Sequence, residues 1–249
     1  MCAFCFSRAY DFIIFVILKP GAVKRISRFK VFATSIGSSQ EIIKQAYKAA
    51  STAARDEQKH GALPFLVYAS EGPDFSNKSG LSVCTTPLGY SRHISSEQDA
   101  RHLVWACLRA VHVLHEAGLV HSDIRLSNTV WLEEDHCMVI DLEHCRKANQ
   151  ALPDNCERLK EWDDGTLELE NGKYFFTPAS DLYQIGRMLN KLRKISWSPE
   201  SASFLALLLS KKKLDVQGND SSSLSAKTAL QHSWMKGLHE AHRAAPKSY

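Results

Sequence analysis

The chain has 249 residues, of which 44% are hydrophobic and 23% charged, and this composition excludes wholesale disorder. Its 31 basic and 27 acidic residues leave a formal net charge of +4, an excess too small to indicate a nucleic-acid partner. The seven cysteines are an odd number at irregular spacing, which argues against a disulfide framework and favours a reducing compartment.

The first third of the chain holds the strand candidates. The apolar run 12–18 is too short to cross a bilayer and is followed by Lys-Pro-Gly, so it predicts a buried strand in a soluble, cytoplasmic protein with no membrane segment. Residues 28–33 form a second candidate. The segments 63–69 and 81–85 flank a loop rich in Gly, Pro and Asn, and this pattern predicts a hairpin.

Helical spacing of apolar residues begins in the first third and dominates the second half. It predicts a helix over 38–58 that Ser39 caps, and its clearest example is 97–117, which Gly118 ends. Two short strands are predicted at 129–132 and 137–140, on either side of an acidic turn. Three further helices are predicted over 181–192, 199–209 and 225–238.

Chemically informative residues lie between the clear helix and the end of the second short strand. Asp123 is followed five positions later by Asn128, and Asp141 ends an apolar strand 18 residues after Asp123. Taken singly, Asp123 suits a turn, Asn128 a cap and His121 a buried structural role. Taken together, an Asp and an Asn in one tight loop, with a second carboxylate at a strand tip, favour a functional site over three separate structural roles.

This arrangement resembles the catalytic loop and the magnesium-binding segment of protein kinases. Residues 180–189 resemble the kinase helix that opens with a buried Asp, here Asp181, whose carboxylate braces the catalytic loop. Residues 225–234 are similar to the final kinase helix and its A-x-x-A-L-x-H-x-W pattern. Residues 83–89 resemble the strand and hinge that meet adenine.

The resemblance implies an α+β fold that is bilobal and protein-kinase-like. Residues 1–90 would form a reduced, β-rich N-terminal lobe with the hinge, residues 91–240 a mainly α-helical C-terminal lobe, and residues 241–249 a tail. The cofactors it implies are ATP and Mg²⁺. The partner it implies is a protein substrate.

The resemblance also assigns roles to individual residues. Asp123 would orient or deprotonate the acceptor hydroxyl, Arg125 would stabilise phosphoryl charge, and Asn128 with Asp141 would hold magnesium. The remaining predicted ATP contacts are Lys30, Glu41, Pro87 and Leu88. Lys19 is the alternative to Lys30, and Glu57 is the alternative to Glu41.

The sequence departs from the kinase pattern in several places. Ser122 replaces the usual Arg, Leu142-Glu143 replaces Phe-Gly, and neither a G-x-G-x-x-G loop nor an A-P-E motif occurs. We therefore predict an ATP-dependent phosphotransferase that acts on Ser or Thr of a protein. Two alternatives stay open, namely a pseudokinase that serves as a nonenzymatic nucleotide-binding or scaffold module, and a small-molecule kinase.

Overall fold

The computed structural model shows a mixed α+β fold, and it gives side chains from residue 38 onward. The residues it describes are 5–8, 11–18, 21–26, 38–69, 71–76, 80–154, 156, 159, 162–163, 165–210 and 224–238.

The N-terminal part of the chain forms a five-stranded antiparallel sheet. Its strands are β1 (Cys5–Arg8), β2 (Asp11–Leu18), β3 (Gly21–Ile26), β4 (Tyr68–Ala69) and β5 (Leu81–Thr86), in the order β1-β2-β3-β5-β4. The predicted strand at 12–18 and the predicted pairing around the Gly/Pro/Asn loop are both confirmed. Strand β3 was not predicted because Lys24 and Arg25 interrupt its apolar pattern. The predicted strand at 28–33 lies outside the described residues.

The segment before β4 is shorter as a strand than predicted. Instead of extending the sheet, Phe65 and Val67 exchange backbone hydrogen bonds with Val139, at 2.9 and 2.8 Å, and Leu66 forms a parallel bridge to the same residue. This connection ties the N-terminal sheet region to the strand that precedes Asp141.

Helix α1 (Gln40–Lys59) follows the predicted helix closely. The Ser39 hydroxyl accepts a hydrogen bond from the Ile42 N–H, so this residue caps the helix as predicted. The apolar face of α1 buries Ile43 and Tyr47 at 0% and 2% exposure. Because α1 packs against both β4 and the turn after Asp141, it lies next to the candidate site.

Helix α2 (Glu97–Glu116) is the centre of the core. Ser96 and Asp99 form a reciprocal capping box at its start, and Gly118 follows its end with a φ of 71°, a conformation that favours glycine. Leu103, Leu108 and other residues of this helix are fully buried. The core around α2 continues from α1 to Leu238.

Short antiparallel strand pairs flank the loops that follow α2. The strand β6 (Leu119–Val120) pairs with β9 (Arg146–Lys147), and β7 (Thr129–Trp131) pairs with β8 (Cys137–Val139). The strands β10 (Gln150–Ala151), β11 (Glu168–Glu170) and β12 (Lys173–Phe176) form a sheet in the order β10-β12-β11.

Three helices complete the described chain: α3 (Pro178–Asn190), α4 (Pro199–Ser210) and α5 (Ala226–Leu230). Helix α3 starts three residues before the predicted position because Pro178 suits the first turn and Thr177 forms a capping box with Ser180. The predicted continuous helix over 225–238 is wrong. His232 is extended, with φ −60° and ψ 148°, and only a short 3₁₀ turn, Ser233–Met235, follows.

Among the described residues, none of the helices combines the length and the hydropathy that a bilayer crossing requires. No disulfide joins the five cysteines whose side chains are described (84, 107, 137, 145 and 156).

Candidate phosphoryl-transfer site

The loop between β6 and β7 holds Asp123 and Asn128 in direct contact. The Asn128 Nδ2 donates to the backbone oxygen of Asp123 at 2.9 Å and to its Oδ2 at 2.8 Å. Both side chains are almost fully buried, at 1% and 4% exposure. A 3₁₀ turn, Leu126–Asn128, brings the Asn back toward the Asp, so the five-residue spacing in the sequence becomes a contact.

Arg125 forms an ion pair with Asp123. Its Nη2 lies 3.0 Å from Asp123 Oδ2, and its side chain is 18% exposed. The Nε of Arg125 is buried and has no hydrogen-bond partner among the described residues. The guanidinium therefore already balances one carboxylate and keeps a donor that an anionic ligand could use.

Asp141 reaches the same place from the end of β8. It adopts a left-handed conformation, with φ 74° and ψ 61°, and it precedes a 3₁₀ turn, Leu142–His144. A carboxylate oxygen of Asp141, a carboxylate oxygen of Asp123 and a ring nitrogen of His144 all lie within 4.8 Å of one another. A non-glycine residue in this conformation costs about 1 kcal/mol or more, so the surroundings must hold it there.

His144 was not predicted from the sequence. It is 6% exposed, and its Nε2 lies 3.9 Å from Asp123 Oδ2. The available signal was its position three residues after Asp141, because a tight turn returns a side chain to the neighbourhood of its first residue.

Asp181, the residue that opens the kinase-like helix, contacts the loop backbone as the resemblance implies. Its fully buried carboxylate accepts hydrogen bonds from the N–H groups of His121 and Ser122, each at 2.9 Å, and lies 3.0 Å from the Nε2 of His115. Ser122 has a φ of 63°, so Asp181 holds a non-glycine residue in the left-handed region directly before Asp123.

Two further side chains satisfy the loop backbone. Gln184 accepts a hydrogen bond from the Ile124 N–H at 2.9 Å and donates to the Ser122 carbonyl at 3.1 Å. The indole N–H of Trp162 donates to the same carbonyl at 2.8 Å. Because its polar groups are satisfied on several sides, this buried loop has little freedom to move.

Ser122, at the position of the usual kinase Arg, takes part in a different contact. Its hydroxyl donates to the carbonyl of His144 at 2.6 Å, and the Nε of Arg146 donates to the same hydroxyl at 3.2 Å. Burial lowers the pKa of the Arg146 guanidinium, which lies 4.6 Å from the ring of Trp162. Ser122 therefore connects the loop that contains Asp123 to the backbone of the turn that follows Asp141.

Glu143 replaces the usual glycine and is fully buried. The phenol of Tyr47 on α1 donates to its Oε1 at 2.8 Å. Burial, and after it the Glu143 carboxylate, raise the pKa of Tyr47 well above its usual value. The sequence placed Tyr47 only on an apolar helix face, so this link between α1 and the Asp141 turn was missed.

Of the predicted ATP contacts, Glu41 is not brought to this cluster, since it lies exposed in the first turn of α1. Lys30 and its alternative Lys19 lie outside the described residues. The alternative Glu57 pairs with Arg109 of α2 at 3.4 Å. Glu57 is thus engaged at the other end of α1, where burial raises its pKa to about 7.

The predicted hinge lies directly after β5. Pro87 follows a cis peptide bond, and Leu88 is 41% exposed. Tyr90 exchanges two backbone hydrogen bonds with Trp131, each 2.9 Å long, so the end of this segment is fixed to strand β7.

A cavity of about 200 Å³ lies beside the loop that holds Asp123. Its lining residues are Ile124, Arg125, Leu126, Ser127, Gln184, Arg187, Met188 and Lys191. The cavity thus shares Arg125 with the Asp123 cluster and is bordered by two further cationic side chains.

No protein-family model matches the chain, and no curated protein matches it either. The contacts of its own residues are therefore the basis for any assignment of function.

Proposed function

We propose that this chain is a protein kinase-like phosphotransferase that moves the γ-phosphate of ATP to a hydroxyl, with Ser or Thr of a protein as the acceptor. The proposal includes a bilobal arrangement, with a small N-terminal lobe and hinge up to residue 90 and a helical lobe after it. The observation that carries it is the meeting of Asp123 and Asn128, both buried, with the half-buried Asp141.

The residues present fit a divalent cation. Asp123 and Asp141 offer hard carboxylate oxygens, which Mg²⁺ prefers, and Asn128 carries an amide oxygen beside them. The cluster brings together two carboxylates, and the guanidinium of Arg125 contacts one of them. A cation held by Asp123 and Asp141 would neutralise phosphate charge.

Asp123 is the residue that handles the acceptor proton. The acceptor oxygen forms a new bond to the γ-phosphorus, the bond from that phosphorus to the ADP oxygen breaks, and the hydroxyl proton passes to the Asp123 carboxylate. Asn128 keeps this carboxylate in place through its 2.8 Å hydrogen bond. Arg125, 3.0 Å from the same oxygen, stabilises negative charge on the transferred group.

The basic cavity beside the loop supports the acceptor side of the proposal. It lies next to Asp123 and offers Arg125 with Arg187 and Lys191 around a volume of about 200 Å³. Arg187 itself is paired with Asp163 at 2.7 Å. An acceptor hydroxyl with acidic neighbours would complement the basic lining of this cavity.

The test is a magnesium-dependent nucleotide-binding and phosphotransfer assay, with slow ATP hydrolysis as a readout that needs no acceptor. We expect Asp123→Asn to lose about 10²–10⁴-fold in transfer and to bind Mg·ATP more weakly, because an amide replaces one of the two carboxylates that hold the cation. We expect Asp141→Asn to lose magnesium-dependent binding as well. Asp154→Asn, an exposed carboxylate, is the matched control and should retain both.

The outcomes separate the alternatives. If wild-type protein binds Mg·ATP without transfer or hydrolysis, the enzyme proposal is wrong. The nonenzymatic nucleotide-binding module is then the remaining alternative. Transfer to a small alcohol but not to protein would indicate a small-molecule kinase. Transfer unaffected by either Asn variant would show that this cluster is not the site.

A further inference from the structure

His144 places an imidazole nitrogen in the same cluster as the two carboxylates. Its side chain is 8% exposed, and its Nε2 lies 3.9 Å from Asp123 Oδ2, too far for a hydrogen bond. Two ligands about 2.1 Å from one cation lie roughly 3–4 Å apart, depending on the angle between them. The His144–Asp123 separation therefore suits two ligands of one ion better than a direct contact.

The backbone around His144 is fixed by contacts that do not involve its ring. The carbonyl of His144 accepts the hydroxyl of Ser122 at 2.6 Å, and the N–H of Cys145 closes the 3₁₀ turn onto the Leu142 carbonyl at 3.0 Å. Tyr47 holds Glu143, in the middle of that turn, from the opposite side. The turn thus presents Asp141 and His144 together.

We infer that His144 is a third protein ligand of the cation, so that the site has mixed nitrogen and oxygen donors and binds Mn²⁺ in preference to Mg²⁺. The inference rests on the proposed function only in placing a cation at Asp123 and Asp141. Imidazole suits first-row transition metals, whereas Mg²⁺ prefers oxygen ligands and water. The two carboxylates favour any dication, and His144 supplies the selectivity.

The inference is tested on the full chain without nucleotide. Mn²⁺ binding is measured by electron paramagnetic resonance titration, and Mg²⁺ binding by its competition with Mn²⁺. We expect wild-type protein to bind Mn²⁺ about tenfold or more tightly than Mg²⁺. Pulsed spectra of the Mn²⁺-loaded protein should show the nitrogen coupling of a directly bound imidazole.

Two substitutions of His144 distinguish the effect of its nitrogen donor from the effect of having a third protein ligand. His144→Asn should weaken Mn²⁺ binding about tenfold and Mg²⁺ binding by no more than about twofold. His144→Asp replaces nitrogen by oxygen, and it should reverse the preference toward Mg²⁺. His93→Asn, at an exposed histidine in the loop before α2, is the matched control and should change neither affinity.

Equal wild-type affinities, no binding of either cation, or missing nitrogen coupling would each overturn the inference. The wild-type spectrum decides the question even if a variant does not fold. Magnesium-dependent transfer, together with Mn²⁺ binding that His144→Asn leaves unchanged, would refute the metal preference and leave the phosphotransferase intact. Mn²⁺ binding that depends on His144, without any transfer, would do the reverse.

Discussion

Asp181→Asn tests whether one buried carboxylate holds the loop that contains Asp123. The substitution keeps the size of the side chain but replaces one carboxylate oxygen by an NH₂ group. The N–H of His121 donates to Oδ2 and the N–H of Ser122 to Oδ1, each at 2.9 Å, so the amide can accept from only one of them. The other N–H then faces a donor inside a fully buried site.

The magnitude follows from these two contacts. A hydrogen bond to a charged group contributes about 1.5–3 kcal/mol, and an unsatisfied buried N–H costs about 1–3 kcal/mol. One lost bond and one weakened bond predict a loss of about 3 kcal/mol in the free energy of unfolding, close to the cost of breaking other buried ionic contacts. Because Ser122 has a φ of 63°, the loop should also relax toward an unstrained backbone and displace Asp123.

Urea denaturation followed by circular dichroism measures the stability change, and the phosphotransfer assay measures the displacement. We expect the transfer rate to fall more than the affinity for Mg·ATP, since Asp181 touches the loop of Asp123. Asp163→Asn is the matched control: its ion pair with Arg187 is 2.7 Å long, but Asp163 is 41% exposed, so the loss should stay below about 1 kcal/mol. Equal losses in the two variants would refute the bracing role.

Three further substitutions test the surroundings of the site. Glu57, beside Arg109, has a folded-state pKa of about 7 against an ordinary 4.5. The protonated form therefore stabilises the folded protein at pH 5, and this contribution is lost as pH rises through 7. The free energy of unfolding of wild type, relative to that of Glu57→Gln, should fall by about 2 kcal/mol from pH 5 to pH 8 in urea denaturation. Tyr47→Phe leaves Glu143 without a 2.8 Å hydrogen bond, and should destabilise by about 1–3 kcal/mol in thermal unfolding. Gly89→Ala would place a Cβ 2.5 Å from a side-chain carbon of β7, and should lower stability by about 1–3 kcal/mol in urea.

Each of these variants has a control within the chain. Glu41→Gln removes a carboxylate from the exposed first turn of the same helix as Glu57, and a matching pH profile there would contradict the role of burial. Tyr90→Phe alters a tyrosine that is 48% exposed, so an equal loss would contradict the Tyr47 contact. Gly72→Ala meets no atom within 4 Å and should be nearly neutral.

Local patterns in the sequence were sufficient for most elements. The apolar spacing of α2, the Ser39 cap and the turn residues between β4 and β5 act over a few neighbouring residues, so they can be recognised without knowledge of the fold. The same local reasoning failed at the end of the chain. There the indole N–H of Trp234 donates to Glu97 at 2.8 Å across 137 positions, and the helix predicted over 225–238 ends at Leu230.

What the sequence by itself determined was the order of the elements and the presence of Asp123, Asn128 and Asp141 at the tips of adjacent segments. The spacing of these residues follows from loop and hairpin geometry, which is local. The tertiary structure alone decided that His144 joins the two carboxylates and that Tyr47 meets Glu143, 96 residues away. Such pairs depend on how buried polar groups find partners once α1, the β7–β8 hairpin and the Asp141 turn are packed together, and no short-range pattern encodes that choice.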